Sequence, residues 1–257
     1  MKNLIETFNS VDYFVVAHRG ASGIAPENTL SSFAEAIRSG AHFIEMDIQV
    51  TADGMPIVFH DKGLSRTTDG IGFASKLTYE ELLKFDSGNW FSSEFSGERI
   101  PSLQRVLELV QNQILINIEL KNLGPSPQQH IQKILQIIEQ YDYSDKIVIS
   151  SFYYEQLKIV KELNGQIPTA LIRLPKDKRL PSVLAREYHC QGFVCSLEEL
   201  NWEITKDARD NNLFVGVYTI NTPEELEYAL QFDIKAIVTN YPAQILSLLK
   251  DKYKARV

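Results

Sequence analysis

The stretch that decides the fold is Ala17–His60, AHRGASGIAPENTLSSFAEAIRSGAHFIEMDIQVTADGMPIVFH. The apolar run DYFVVA leads into it and ends at His18 and Arg19. A helix is expected over 29–39, followed by a second apolar run over 42–49 that holds Glu45 and Asp47. The TADG turn at 51–54 then signals a hairpin, and a short extended piece ends at His60. Strand, helix and strand in this order make one crossover unit of a parallel sheet.

The same alternation continues outward to the C-terminus. With the first strand over 13–18, further strands are expected at 114–120, 146–150, 168–173, 191–195, 213–218 and 235–239. Helices are expected at 102–112, 127–140, 153–163, 179–188, 203–211, 222–230 and 242–252. Ile131, Ile134, Leu135 and Ile138 recur at steps of three and four, which makes one helical face. Thr222 before Pro223 is a helix start. Eight strand–helix units in about 250 residues predict an α/β protein, a (β/α)8 barrel of residues 1–257. A doubly wound open sheet is the competing architecture, but no G-x-G-x-x-G turn follows the first strand. Residues 61–101 break the alternation and predict a small insertion over the barrel mouth, after the second strand region.

In such a barrel, chemistry collects at the C-terminal ends of the strands. His18, Arg19, Glu45, Asp47, Asn117, Glu119, Lys121, Ser150, Ser151, Tyr218, Asn221 and Asn240 all fall there, and His60 follows the short extended piece. Glu45 and Asp47 are two residues apart in a strand, so they share a face. Two carboxylates on one face repel unless a cation lies between them. Two histidines supply an acid and a base near neutral pH. The set reads as metal-assisted hydrolysis of an anionic ester, with Arg19 on the anion. The competing reading is a structural one, in which Glu45 and Asp47 form buried ion pairs with Arg19 and Lys121. His42 and His189 are expected as hydrogen-bonded core residues, and His130 as a solvated helix residue. Asp61 is expected to be structural. Pro26, Glu27, Asn28 and Thr29 are expected to shape a loop and cap the first helix, with Asn28 a good N-cap.

Composition limits the partners. The net charge is −7 with no basic cluster, which argues against nucleic acid. No stretch approaches the ~18 apolar residues of a membrane span. The N-terminal MKNLIETFNSVDYF lacks the apolar core of a signal peptide. Cys190 and Cys195 match no metal or redox spacing and are expected as partly buried free thiols, which fits a cytoplasmic protein.

These residues carry a family resemblance. The strings AHRGASGIAPENTLSSF, FIEMDIQVTADGMPIVFHD, LSRTTDG, LTYEELLKFDSGNWFSSEFSGERIPSL, INIELK, ISSF and VYTINTPEEL resemble the glycerophosphodiester phosphodiesterases of the soluble bacterial type. The resemblance spans nearly the whole chain. It implies a barrel with an inserted subdomain, a divalent cation, and a small-molecule glycerophosphodiester substrate cleaved to glycerol 3-phosphate and an alcohol. It further implies His18 and His60 as the catalytic pair, and Glu45, Asp47 and Glu119 as metal carboxylates. Arg19 and Lys121 match phosphate-holding residues. An oxygen-only ligand set suits Mg2+ or Ca2+ better than zinc. His60 is expected as base and His18 as acid, with water or the glycerol 2-hydroxyl as nucleophile. Asn240 stands where the family often has aspartate, and Tyr218 where tryptophan is common. An alternative on the same barrel is a lysophospholipase D-type enzyme, with Phe73, Trp90, Phe91 and Phe95 forming an apolar groove; the competing reading packs these rings inside the insertion. A non-catalytic phosphoester-binding barrel would lack a histidine or a metal carboxylate, and none is lacking.

Overall fold

A computed structural model describes residues 4–257. Eight parallel strands close into a barrel: β1 (Phe14–Ala17), β2 (Phe43–Val50), β4 (Leu115–Leu120), β5 (Ile147–Ser151), β6 (Thr169–Ile172), β7 (Gly192–Ser196), β8 (Phe214–Tyr218) and β9 (Ala236–Thr239). Closure is by β1, which pairs with β2 on one side and β9 on the other. The short strand β3 (Pro56–Val58) folds back antiparallel on β2 through the TADG turn, where Gly54 takes a positive φ of 75°.

Period-two alternation sorts the strand residues into two apolar layers. Val15, Ile44, Met46, Ile116, Ile118, Ile149, Leu171, Phe193, Val215 and Ile237 belong to the large cluster under the helices. Phe14, Val16, Phe43, Leu115, Val148, Ala170 and Val238 form a second cluster inside the barrel. The helices that cover the strands are α2 (Leu30–Ser39), α4 (Leu103–Val110), α5 (Pro127–Gln140), α6 (Tyr154–Leu163), α7 (Pro181–Tyr188), α8 (Trp202–Asp210), α9 (Pro223–Ala229) and α10 (Pro242–Asp251). Ile131, Ile134, Ile137 and Ile138 are the buried face of α5. Thr222 caps α9 through a reciprocal capping box with Glu225.

Three expectations are corrected and one element is added. The N-cap of α2 is Thr29, whose hydroxyl accepts from the Ser32 N–H; Asn28 takes a left-handed φ of 59° and turns its amide elsewhere. His189 is exposed, in a left-handed conformation that ends α7. His130 is half-buried, with Nδ1 2.8 Å from the Leu123 carbonyl oxygen. An additional helix, α1 (Leu4–Ser10), precedes the barrel. Its Leu4 packs on the interior cluster and its Phe8 ring lies 5.7 Å from that of Phe14, so α1 lies against the N-terminal end of the barrel. His42 is as expected: its Nδ1 accepts from the Val15 N–H at 3.0 Å.

The insertion has its own small core of Ile57, Phe59, Leu64, Ala74, Leu82 and Ile100, with one helical turn, α3 (Tyr79–Leu82). Trp90, Phe91 and Phe95 stack edge to face on one another at 5.7 Å outside that core, with Trp90 40% exposed. Phe73 is 58% exposed and takes no part in that stack. Both cysteines are buried and free. Among the described residues no helix is long and apolar enough to cross a membrane.

Candidate active site

Adjacent strands bring the three acids together. Asp47 on β2 is in register with Glu119 on β4, and Glu45 with Asn117. Carboxylate oxygens of Glu45, Asp47 and Glu119 all lie within 4.8 Å of one another. The structure therefore groups all three expected acids at one end of the barrel.

Their environments differ. Asp47 is 1% exposed, yet it faces Lys121 Nζ at 2.8 Å, Arg19 Nε at 3.3 Å and the Asn28 amide at 2.7 Å. Burial pushes its carboxyl up, but Lys121 and Arg19 outweigh burial and hold it well below the usual range. Among the described residues, Glu45 receives only the Arg19 backbone N–H, at 2.8 Å, and its Oε1 is buried with no hydrogen-bond partner. Burial, then Asp47 and Glu119, push its carboxyl well up. Glu119 bonds Lys121 Nζ and is pushed up to about 7 by burial and by Asp47. Of the ion pairs in the structural reading, those of Asp47 with Arg19 and Lys121 are present, whereas Glu45 has none among the described residues and Lys121 pairs with Glu119 as well.

This arrangement fits a hard divalent cation. Three convergent carboxylates, one with an orphaned buried oxygen, supply oxygen donors without thiolate or imidazole.

The two histidines are oriented differently. His18 Nδ1 lies 2.8 Å from Asn240 Oδ1, which must accept, so Nδ1 carries the proton and Nε2 is left free. The Asn240 backbone is in turn held by Asn221, whose Oδ1 accepts its N–H at 2.8 Å. Burial, then Arg19, lower His18 to about 4. His60 Nδ1 lies 2.6 Å from Asp61 Oδ1. Arg66 holds Asp61 and, with His60, keeps that carboxyl down to about 2. Burial lowers His60 as well, with Asp47 and Asp61 opposing it. Burial thus favours the neutral form of both imidazoles.

Arg66 also forks onto Glu27 with two bonds of 2.8 Å, and Glu27 accepts from Arg19 at 2.9 Å. A continuous charged chain, His60–Asp61–Arg66–Glu27–Arg19–Asp47, thus ties one histidine to the acid cluster. Sequence reasoning missed Glu27, Asn28 and Arg66 as site residues, although they stand in the strings PENT and LSRTTDG. It also missed Gln49, whose amide donates to the carbonyls of Phe59 and Asp61 at 2.8 and 2.7 Å and so fixes the backbone around His60. Gly20 is required beside Arg19: it has a φ of 81°, and a Cβ there would meet Ser32 at 2.4 Å.

Ser150 and Ser151 part company, as alternation dictates. Ser151 donates to the Leu120 carbonyl at 2.6 Å and is structural. Ser150 Oγ lines the cavity and is buried without a partner among the described residues. That cavity has a volume of about 330 Å³ and opens among His18, Arg19, Glu45, His60, Glu119 and Lys121.

A closed (β/α)8 barrel here carries an acid cluster, two histidines and two cationic side chains at its mouth, where barrel enzymes hold their active sites. The sequence matches the Glycerophosphoryl diester phosphodiesterase family over residues 18–244, and the chain belongs to that family. It is 32% identical to a glycerophosphodiester phosphodiesterase of Caldanaerobacter subterraneus subsp. tengcongensis, over 92% of this chain and 97% of that protein. It is 31% identical to a glycerophosphodiester phosphodiesterase of Bacillus altitudinis, over 92% of this chain and 98% of that one. The fold superposes with a TM-score of 0.87 on a phosphodiesterase of Oleispira antarctica solved in complex with the product sn-glycerol-3-phosphate. That structure is 30% identical, with 93% of this chain and 97% of the other covered.

Proposed function

We propose that residues 1–257 act as one catalytic unit, a cytoplasmic, metal-dependent glycerophosphodiester phosphodiesterase that releases glycerol 3-phosphate and an alcohol. What supports this most is Glu45, a buried carboxylate with one orphaned oxygen beside two further acids, in a cavity that also holds two histidines. Glu45, Asp47 and Glu119 would hold Mg2+ or Ca2+, which when bound offsets the charge of the phosphate and of the transition state.

The chain's own residues account for the proton traffic. Arg19 and Lys121 bind the phosphate, exchanging part of their contact with Asp47 for the substrate's oxygens. The nucleophile, water or the glycerol 2-hydroxyl, forms a new P–O bond and gives its proton to His60 Nε2. Asp61 stabilises the imidazolium that results and keeps the ring's Nδ1–H turned away from the substrate. The bond from phosphorus to the departing alcohol breaks, and His18 in its protonated form delivers a proton from Nε2 to that oxygen. The arriving phosphodiester anion favours the protonated form of His18. If the 2-hydroxyl attacks, water opens the cyclic phosphate in a second round with the histidine roles reversed.

The test is which bond breaks. Purified protein with glycerophosphocholine and Mg2+, followed by phosphorus NMR, is expected to yield glycerol 3-phosphate and choline. Phosphocholine and glycerol as products would refute the reading.

A further inference from the structure

The catalytic cavity does not end at the acids. It continues down the barrel past Asn117 and Ser150, between Val148, Ala170, Val194 and Gly216, to Leu4 and Phe8 of α1. Barrel interiors of this class are normally filled by layers of bulky branched side chains. Here the inward positions of β6, β8 and β9 include three small residues, Ala170, Gly216 and Ala236, beside the bulkier Ile172, Phe214 and Val238, and Gly216 and Ala236 are direct neighbours in the sheet. Val194, Phe214 and Ala236 point inward and yet are only half-buried, so the space beside them is open rather than packed. A methyl group on Gly216 would meet Val194 and Ala236 at no closer than 3.4 Å, so even that narrow point has room.

Polarity changes in steps along this space. The mouth is charged. The waist carries the half-buried Asn117 and Ser150, which is 1% exposed with a hydroxyl unpartnered among the described residues. A buried hydroxyl without a partner calls for one, and the cavity that Ser150 lines is the direction from which it comes. Below the waist the lining is aliphatic and aromatic, a surface that water leaves readily. Charged, hydroxyl-binding and apolar zones follow in the order phosphate, polyol, hydrocarbon.

We propose that the lower chamber receives an aliphatic chain carried by the phosphodiester, with its polar linkage at Asn117 and Ser150. This rests on the function proposed above and extends its substrate class to chain-bearing phosphodiesters. The chain is of limited length, because α1 floors the chamber. From His18 back to Phe14 the strand advances only about 13 Å at ~3.3 Å per residue. A chain can be attached on either side of the phosphate, as an acyl group on the glycerol or as the esterified alcohol.

Two substrate series separate these sources, with the full-length protein and concentrations below micelle formation. One is lysophosphatidylcholine with butanoyl, octanoyl or hexadecanoyl chains. The other is glycerophosphobutanol and glycerophosphooctanol, with glycerophosphocholine as the reference. Full burial of a methylene gives about fourfold in affinity, from ~0.8 kcal/mol each. In one series kcat/KM is expected to rise roughly tenfold or more from four to eight carbons, and in the acyl series to fall again at sixteen. The series that rises identifies the side. Filling the chamber by Ala170→Leu or Ala236→Leu should bring the eight-to-four-carbon ratio toward one. Gly216→Ala, the gentler change, should lower it in the same direction. A flat or falling response to chain length in both wild-type series overturns the proposal, whatever the variants do. An unchanged ratio in a folded, filled variant also overturns it. Failure to hydrolyse glycerophosphocholine would instead sink the function itself, whereas hydrolysis without a chain-length gain sinks only this inference.

Discussion

Glu45 and Asp47 stand two residues apart on one face of β2 and are held in opposite electrostatic states. Asp47 meets Lys121 at 2.8 Å and Arg19 at 3.3 Å, whereas Glu45 meets only a backbone N–H and keeps Oε1 unpartnered. One strand thus carries a neutralised carboxylate and one that lacks a counter-charge. Breaking a buried ion pair by removing one partner costs ~3–5 kcal/mol, because the other charge is left uncompensated. Asp47→Asn is therefore expected to lower the stability of the metal-free protein by about that amount, as measured by urea unfolding after chelation. Glu45→Gln should leave metal-free stability nearly unchanged while abolishing the stabilisation that added Mg2+ gives. Equal destabilisation by the two substitutions would contradict the asymmetry.

The raised carboxyl of Glu119 makes a pH prediction with a definite sign. Its pKa moves from 4.5 to about 7, through burial and Asp47. A group that binds its proton more tightly when folded stabilises the fold below its unfolded pKa, and that stability is lost as pH rises through the folded value. The chelated protein should therefore lose stability between about pH 4.5 and 7, and Glu119→Gln should flatten that slope. Saturating cation should reverse it, since a cation binds the ionised form. A melting temperature of the chelated wild type that rose across this window more steeply than that of Glu119→Gln would count against the assignment.

Asp61 controls His60 through one short contact. Burial lowers the His60 pKa, and the Asp61 hydrogen bond raises it. Asp61→Asn removes the raising influence, so the acid limb of the kcat/KM–pH profile should move to lower pH, and kcat should fall as the ring loses its orienter. His60→Ala and His18→Ala should each cost ~10²–10⁴-fold in kcat. Movement of the limb to higher pH in Asp61→Asn would show that Asp61 does not act through His60.

The barrel was legible because period-two and period-three-to-four patterns are properties of neighbours in the chain. All eight barrel strands and their helices follow from such runs, and so does the placement of His18 and Glu119 at strand ends, whereas Glu45 and Asp47 lie within β2 because that strand runs on to Val50 to pair with β3. The support of the site was not legible in the same way. Arg66 and Glu27 are 39 residues apart on two loops with no period to relate them, and only the folded geometry pairs them. Asn28 and Thr29 are both good caps; the left-handed backbone of Asn28 gives the cap to Thr29 and frees the amide for Asp47. Helix α1 is a seven-residue segment whose helicity comes from packing against the barrel end rather than from its own propensity. The interior chamber depends on the summed volume of inward residues from many strands, which no local window contains.

The most direct test of the account is glycerol 3-phosphate release from glycerophosphocholine by exhaustively chelated protein, as Mg2+ or Ca2+ is titrated back. The acid cluster predicts no product without cation and a saturable return with it. Glu45→Gln, Asp47→Asn and Glu119→Gln should each shift that titration to higher cation concentration, and His18→Ala and His60→Ala should lower its plateau without shifting it. Full activity of the wild-type protein in excess chelator would contradict the claim that Glu45, Asp47 and Glu119 form a catalytic metal centre.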